Sequence, residues 1–194
     1  MMSVPAIAFL NRISLTRFLE PPGMNKRNVF SLVALCAMIA TGCTTTGAAE
    51  EEAKNYCEFP EDQYRLSRDL LELVNRARVD DGMLPLLTDD SLTDIAGDYA
   101  CEMIESEFFS HESPKTHLDP GDRLTRAGYI YFTMGENLAV GQLSAQDVFD
   151  DWMTSPEHRD NILSPNWREI GIAVRSTPGG EYYWVQEFAD PVKF

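Results

Sequence analysis

The sequence has few basic residues. Its 194 residues include 16 Lys and Arg against 31 Asp and Glu, which gives a formal net charge of −15. Proteins that bind nucleic acids need clustered positive charge, so this composition argues against that class of function. It also argues against docking on an anionic membrane surface by charge alone. The hydrophobic and charged fractions, 44% and 24%, are those of an ordinary globular protein.

The chain also lacks the common catalytic motifs. It has no Gly-x-Ser-x-Gly elbow and no glycine loop of the kind that binds phosphate. Only three histidines occur, at His111, His117 and His158. A helical metal pair needs histidines four residues apart, whereas His111 and His117 are six apart with Pro114 between them. No single motif therefore identifies a reaction.

The apolar segment near the N-terminus is too short to span a bilayer. The run at 29–40 has 12 residues, interrupted only by Ser31, whereas a spanning helix takes about 20. Lys26 and Arg27 precede the run and small residues follow it, which is more typical of a secretory signal than of a buried core helix. We therefore interpret residues 1–42 as a signal or targeting region, with Met24 as an alternative start.

The end of this region, Ala40-Thr41-Gly42-Cys43, resembles the lipobox of bacterial lipoproteins. The resemblance implies that Cys43 is lipidated and attaches the protein to a membrane of the cell envelope. Because Thr44 and not Asp follows Cys43, it also implies the outer membrane of a Gram-negative cell; the alternative is a periplasmic or secreted protein. Residues 43–62 lack apolar periodicity, so we expect a flexible acidic tether there and a folded domain over 63–194.

Of the four cysteines, one lies in the signal region and Cys43 is the lipidation candidate, which leaves Cys57 and Cys101. In an oxidising envelope compartment such an isolated pair usually forms a disulfide. The alternative is two unpaired thiols, with Cys101 as a small core residue on a helix.

The remaining sequence alternates helical patterns and then ends in strands. Apolar residues recur at helical spacing over 61–80, and further helices are predicted after Thr88 or Asp89, after Asp119-Pro120, after Ser144 and from Ser155-Pro156 to about residue 163. Two alternating strands, at 170–175 and 182–188, flank the turn Pro178-Gly179-Gly180. This order predicts an α+β fold in which helices cover an antiparallel sheet.

Three polar residues are candidates for function. His111 follows a helix, Glu136 lies beside Gly135, and His158 lies in the first turn of a predicted helix. The partial positive charge of a helix start disfavours imidazolium, and a neutral imidazole is the form that binds metal or acts as a base. Each residue alone could equally serve the fold, as a buried hydrogen-bonding group.

Several segments together resemble the CAP superfamily, the domain of cysteine-rich secretory, antigen 5 and pathogenesis-related proteins, in its compact bacterial form. The matching segments, in order, are Leu73-Val74-Asn75-Arg76-Ala77-Arg78, Phe109-Ser110-His111, Gly135-Glu136-Asn137-Leu138-Ala139, Trp152-Met153-Thr154-Ser155-Pro156-Glu157-His158-Arg159-Asp160-Asn161-Ile162-Leu163, Gly171-Ile172-Ala173 and Tyr183-Trp184-Val185-Gln186. The resemblance spans residues 66–189 and implies a three-layer α-β-α sandwich with a central, mainly antiparallel sheet.

In eukaryotic members a cleft is lined by two His and two Glu. By motif, His111 and His158 match the histidines and Glu136 matches the first Glu. The position of the second Glu is Ser155, which we expect to cap the following helix, and Glu157 does not match that position. The four-residue set is therefore incomplete.

Three functions are compatible with these residues. The first is a monomeric recognition module that binds a lipid, small molecule or peptide in the cleft, as the family's extracellular roles imply. The second is a structural envelope protein in which His111, Glu136 and His158 only hold the fold together. The third is a hydrolase in which His111 and His158, with His117 as an optional third ligand, hold Zn²⁺ or another divalent cation while Glu136 activates water. We rank catalysis last, because the second Glu is missing.

Overall fold

The computed structural model describes residues 56–193, which form five helices and a four-stranded sheet. The helices are α1 (Gln63–Asp80), α2 (Asp90–Glu105), α3 (Pro120–Arg126), α4 (Ala145–Thr154) and α5 (Pro156–Ile162), and the strands are β1 (Leu87–Thr88), β2 (Tyr131–Val140), β3 (Glu169–Ser176) and β4 (Tyr182–Pro191). The predicted signal region, Cys43 and the tether up to residue 55 lie outside the described residues. Within 56–193, no helix is both long and apolar enough to cross a membrane.

The sheet has the strand order β1-β3-β4-β2. The predicted hairpin is confirmed as the antiparallel pair β3 and β4, and β2 pairs antiparallel with β4 at one edge. The short β1 pairs parallel with β3 at the other edge. The fold is therefore α+β with a mainly antiparallel sheet, as predicted. The sequence predicted only two of the four strands, since β1 and β2 were not foreseen.

Helices cover both faces of the sheet, which makes the expected three layers. On one face α2 packs against Ala173 and Val185, and α3 adjoins it. On the other face α1, α4 and α5 enclose a larger core that includes Trp152 and Trp184. Gly171 of β3 allows α2 to pack closely on the sheet, since a Cβ at this position would overlap the backbone of Leu92 in α2.

Most predicted helix starts are confirmed by their caps. Asp89 accepts a hydrogen bond from the Leu92 amide at the start of α2, at 3.0 Å. Asp119 caps α3 in a reciprocal capping box with Asp122, and Ser144 caps α4. Ser155 occupies the cap position of α5, but its side chain makes no capping hydrogen bond, so that expectation was correct in position only.

A disulfide joins Cys57 to Cys101 of α2, as predicted. Cys57 is buried, and the next residue, Glu58, forms a two-way backbone bridge with Ser176 of β3, at 2.8 and 2.9 Å. The covalent bond and the bridge fix this segment to the domain. Cys57 and Glu58, which fall within the predicted tether, are therefore bonded to α2 and β3.

Candidate functional site

The candidate site lies at the β2 edge of the sheet, where three elements meet. Glu136 is on β2 and points to the face covered by α2 and α3, because it pairs with Arg123 of α3. His111 lies in the segment between α2 and α3, and His158 lies in the first turn of α5. The sequence placed His111 after a helix and His158 at a helix start, but it did not foresee β2, which carries Glu136 and brings the three residues together.

His111, Glu136 and Arg123 form a chain of side chains that runs from solvent into the protein. His111 Nδ1 is 2.6 Å from Glu136 Oε1, and Arg123 Nη2 donates to Glu136 Oε2. The side chain of His111 is 54% exposed, whereas those of Glu136 and Arg123 are 1% and 8% exposed. Glu136 engages Nδ1, and no other residue in 56–193 makes a hydrogen bond to the half-exposed ring.

Arg123 also holds the segment that carries His111. Its Nη1 donates to the backbone oxygens of His111, at 2.9 Å, and Leu118, at 3.3 Å. Its guanidinium lies 3.3 Å above the ring of Tyr99, an arrangement that favours a cation. The Tyr99 hydroxyl donates to the backbone oxygen of Ser110 at 2.5 Å, and burial raises the pKa of Tyr99 to about 12. One buried cation thus fixes both the backbone and the side chain of His111.

The two site histidines have pKa values shifted in opposite directions. The hydrogen bond that His111 donates to Glu136 raises the pKa of His111 above its ordinary value, against the opposing effects of burial and of Arg123. Burial, and then the charge of His111, lower the pKa of His158, although Glu157 opposes this. The sequence also predicted a neutral His158, but from the helix start; burial is the larger cause here.

A set of buried amides fixes α5 against β2. Asn137 Nδ2 donates to the backbone oxygen of His158, at 3.1 Å, and to Gln186 Oε1, at 3.0 Å. Asn161 Nδ2 donates to the backbone oxygen of Glu136, at 3.0 Å, and to Asn137 Oδ1, at 2.9 Å. These bonds join the backbones of Glu136 and His158 to the opposite element. They therefore set the spacing between Glu136 and His158.

The third histidine does not join the site. His117 is 79% exposed, and its Nδ1 lies 3.9 Å from Glu112 on the surface. In residues 56–193, no group of three or more His, Cys, Asp or Glu side chains could hold a metal ion. Zinc sites use at least three protein ligands, and both oxygens of Glu136 already accept hydrogen bonds. The donor set in the described residues therefore does not fit the expected metal site.

Sequence reasoning missed two titratable members of the cluster, Arg123 and Glu187. Glu187 of β4 is the direct register partner of Glu136, and its side chain is fully buried. Arg123 Nη2 lies 3.8 Å from Glu187 Oε1, beyond hydrogen-bond distance. The sequence offered one signal for these partners. If Glu136 is placed on a strand with its side chain buried, its carboxylate requires a cation or a proton nearby. That signal needed β2 to be recognised first.

Comparison with known proteins gives a consistent result. The model of the cysteine-rich secretory protein family, CAP, matches residues 71–188. The uncharacterized protein YkwD of Bacillus subtilis (strain 168) is 33% identical over 141 residues, which cover 73% of this chain and 53% of that protein. The chain thus spans about half the length of this curated relative.

Two solved structures share the fold. An extracellular protein containing a SCP domain from Bacillus anthracis is 26% identical with a TM-score of 0.61, over 66% of this chain and 41% of that one. An outer surface protein from Borrelia burgdorferi is 22% identical with a TM-score of 0.60, over 64% of this chain and 92% of that one. Since the family model matches more than half of the residues, this chain belongs to the cysteine-rich secretory protein (CAP) family.

Proposed function

We propose that this chain is an exported recognition module that binds a small molecule, lipid head group or peptide at the His111 imidazole. One observation carries the proposal: a half-exposed ring is oriented by a fully buried carboxylate, which is itself paired with a buried arginine. Burying charged groups is costly, and a histidine that served only the fold would not need its half-exposed ring held by a buried charged pair. The arrangement supports a polar contact to a bound partner.

The competing structural explanation also has support. Arg123 and Asn137 donate to the backbone oxygens of His111 and His158, so the segments that carry both residues hold the fold together. These bonds, however, use backbone atoms and would survive substitution of either imidazole. The two functions therefore predict different effects when only the side chain is changed.

The experiment is a titration of the ¹⁵N- and ¹³C-labelled full chain, observed at the ring resonances of its three histidines. The probes are phosphatidylglycerol vesicles, soluble peptidoglycan fragments and a mixture of short peptides, added separately. We expect one probe to move the resonances of His111 and His158 and to leave His117 in place. His111→Ala should weaken that binding about tenfold or more, the effect of losing one charge-assisted hydrogen bond.

His117→Ala is the matched control, because this exposed side chain has its nearest charged partner 3.9 Å away on the surface. It should leave binding unchanged. If none of the probes moves the His111 resonances while His111→Ala unfolds the domain, the structural explanation is favoured instead.

Export and anchoring complete the proposed function. Disulfides such as Cys57–Cys101 persist in oxidising compartments, and a solved structure 26% identical to this chain is described as an extracellular protein. The lipobox-like sequence at Cys43 supports attachment by lipid, with the outer membrane as the expected location. Cys43→Ser should abolish labelling by a fatty-acid probe and release the protein from the membrane fraction. Unchanged labelling would contradict the anchor and leave the proposed binding at His111 intact.

A further inference from the structure

A second carboxyl lies behind the candidate site. Glu187 is on β4, between Glu136 of β2 and Gly171 of β3 in the register of the sheet. Directly opposite residues of neighbouring strands point to the same face, so Glu187 and Glu136 share the face under α2 and α3. Gly171 has no side chain, and a Cβ there would overlap α2, so β3 offers Glu187 no polar partner.

The side chain of Glu187 has no hydrogen-bond donor within reach. It is 0% exposed, and neither carboxyl oxygen has a hydrogen-bond partner among the described residues. The nearest cation, Arg123, is bonded to Glu136 through the same Nη2 that lies 3.8 Å from Glu187. One guanidinium therefore faces two carboxyl groups. An ionised Glu187 would be a buried charge without a direct partner, which is strongly unfavourable.

A protonated Glu187 removes this difficulty. It needs only an acceptor, and each carboxylate oxygen of Glu136 has a second lone pair beside the one used by His111 or Arg123. We propose that Glu187 is the second carboxyl of the site and acts as a positioning residue, held neutral so that its O–H donates to Glu136 and the negative charge stays on Glu136, against His111. This inference rests on the proposed role of His111 as the contact residue.

The titratable surroundings agree with this assignment. Burial, and then the negative charge of Glu136, raise the pKa of Glu187 well above its ordinary value, although Arg123 opposes the shift. The groups that face the pair are Arg123 from α3, Tyr99 from α2 and His111 from the segment between them. Glu187 thus supplies a carboxyl from β4, whereas Ser155 occupies the position where the family resemblance expected a second Glu.

The first test is the difference infrared spectrum of the full chain between wild type and Glu187→Gln at neutral pH. We expect the variant to lose the C=O stretch of a protonated carboxylic acid. Glu169→Gln is the matched control from the same sheet. Burial alone would raise the pKa of Glu169, but hydrogen bonds from Lys193, at 2.7 Å, and Tyr129, at 2.6 Å, lower it, so this variant should lose an ionised carboxylate band. Loss of an ionised band in Glu187→Gln would overturn the proposal.

The second test measures the effect on His111 through its ring resonances during a pH titration. Gln keeps a neutral donor, so Glu187→Gln should leave the imidazolium-to-imidazole ratio of His111 within about twofold. Glu187→Leu removes the donor and makes Glu136 a stronger partner for the ring, so this ratio should rise about threefold or more. Equal ratios in the two variants and wild type would exclude a positioning role.

The third test applies if Glu187→Leu does not fold, because it uses only wild type and Glu187→Gln. The pKa of Glu187 is higher in the folded state than in the unfolded state. Its stabilising effect is therefore complete at a pH below the unfolded-state pKa and is lost as pH rises through the folded-state pKa. Wild type should therefore lose stability over this range, and Glu187→Gln should lose less, because His111, whose pKa is also raised, still contributes in the variant. Identical pH profiles would contradict the inference. All three tests need no ligand, so a failed probe titration at His111 would contradict the proposed function and leave Glu187 as a partner of Glu136.

Discussion

Arg123 is the residue on which the charges of the site depend. It is the cation paired with Glu136, it approaches Glu187, and it holds the backbone of His111. Buried ion pairs often add little net stability compared with apolar groups, because both ions lose their hydration. Removing one partner is different, since the other ion stays buried without compensation. This asymmetry makes Arg123 the most informative single substitution in the domain.

Arg123→Met should therefore destabilise the domain by about 3–5 kcal/mol, since it leaves Glu136 buried without its cation. Met keeps most of the length of the side chain, so the loss reports mainly charge and hydrogen bonds. Urea unfolding of the variant and wild type measures it. Combining Arg123→Met with Glu136→Gln should recover part of the loss, because the unpaired charge is then absent.

Arg65→Met is the control for this prediction. Arg65 forms exposed ion pairs with Asp62 and Asp69, and pairs of this kind contribute about 0–1 kcal/mol. If Arg123→Met costs no more than Arg65→Met, Glu136 does not depend on Arg123 for its charge.

The candidate residues of the site differ in how far the sequence reveals them. His111, Glu136 and His158 stand in local motifs, so the sequence identifies them singly. Arg123 and Glu187 stand in no such motif, and they join the site only through the packing of α3 and the register of β2 against β4. Pairings set by long-range contacts leave no local pattern in a single sequence.

Among the elements, β2 shows why local patterns succeed for helices and fail for this strand. The helices begin at residues with caps, such as Asp89 and Ser144, and a cap is a local interaction. By contrast, β2 contains Gly135-Glu136-Asn137, three residue types that are depleted in strands. Contacts from other elements offset this: Trp152 Nε1 of α4 donates to the Leu138 oxygen at 3.0 Å, and Asn161 of α5 donates to the Glu136 oxygen.

Gly171 tests the packing of α2 on the sheet. Gly171→Ala should destabilise the domain by about 1–3 kcal/mol or more, because the new Cβ would overlap the Leu92 backbone and force α2 away from β3. Thermal unfolding measures the loss. The displaced helix should also change the surroundings of Tyr99, which lies on α2 under the site, so its ring resonances should move.

Gly179→Ala, in the turn between β3 and β4, is the matched control. A Cβ there would meet only Thr177 Oγ1, at 3.6 Å, an ordinary contact, so the change should stay within about 0.5 kcal/mol. A similar effect of both substitutions would show that α2 adapts to β3 without cost.

At the scale of the whole molecule, the net negative charge and the disulfide have opposite effects on the stability of the folded state. Residues 1–42 carry four basic residues and one acidic residue, so the rest of the chain is more acidic than the total of −15 indicates. A net charge far from zero favours solubility but disfavours the compact state through repulsion. The bond between Cys57 and Cys101 constrains the unfolded chain over a separation of 44 residues, which favours the folded state.

The disulfide should therefore contribute about 4 kcal/mol to the free energy of unfolding, in the chain-entropy description for a loop of this length. The double variant Cys57→Ser with Cys101→Ser should show this loss in urea unfolding, and wild type with reductant should match it. Added salt should raise the free energy of unfolding of the double variant, because it screens the repulsion between carboxylates. Reductant should have no effect on the double variant, since both cysteines of the domain are then absent. A wild-type midpoint unchanged by reductant, with both thiols shown to be free by titration of the unfolded chain, would mean that packing and the backbone bridge of Glu58 to Ser176 hold this segment without the disulfide.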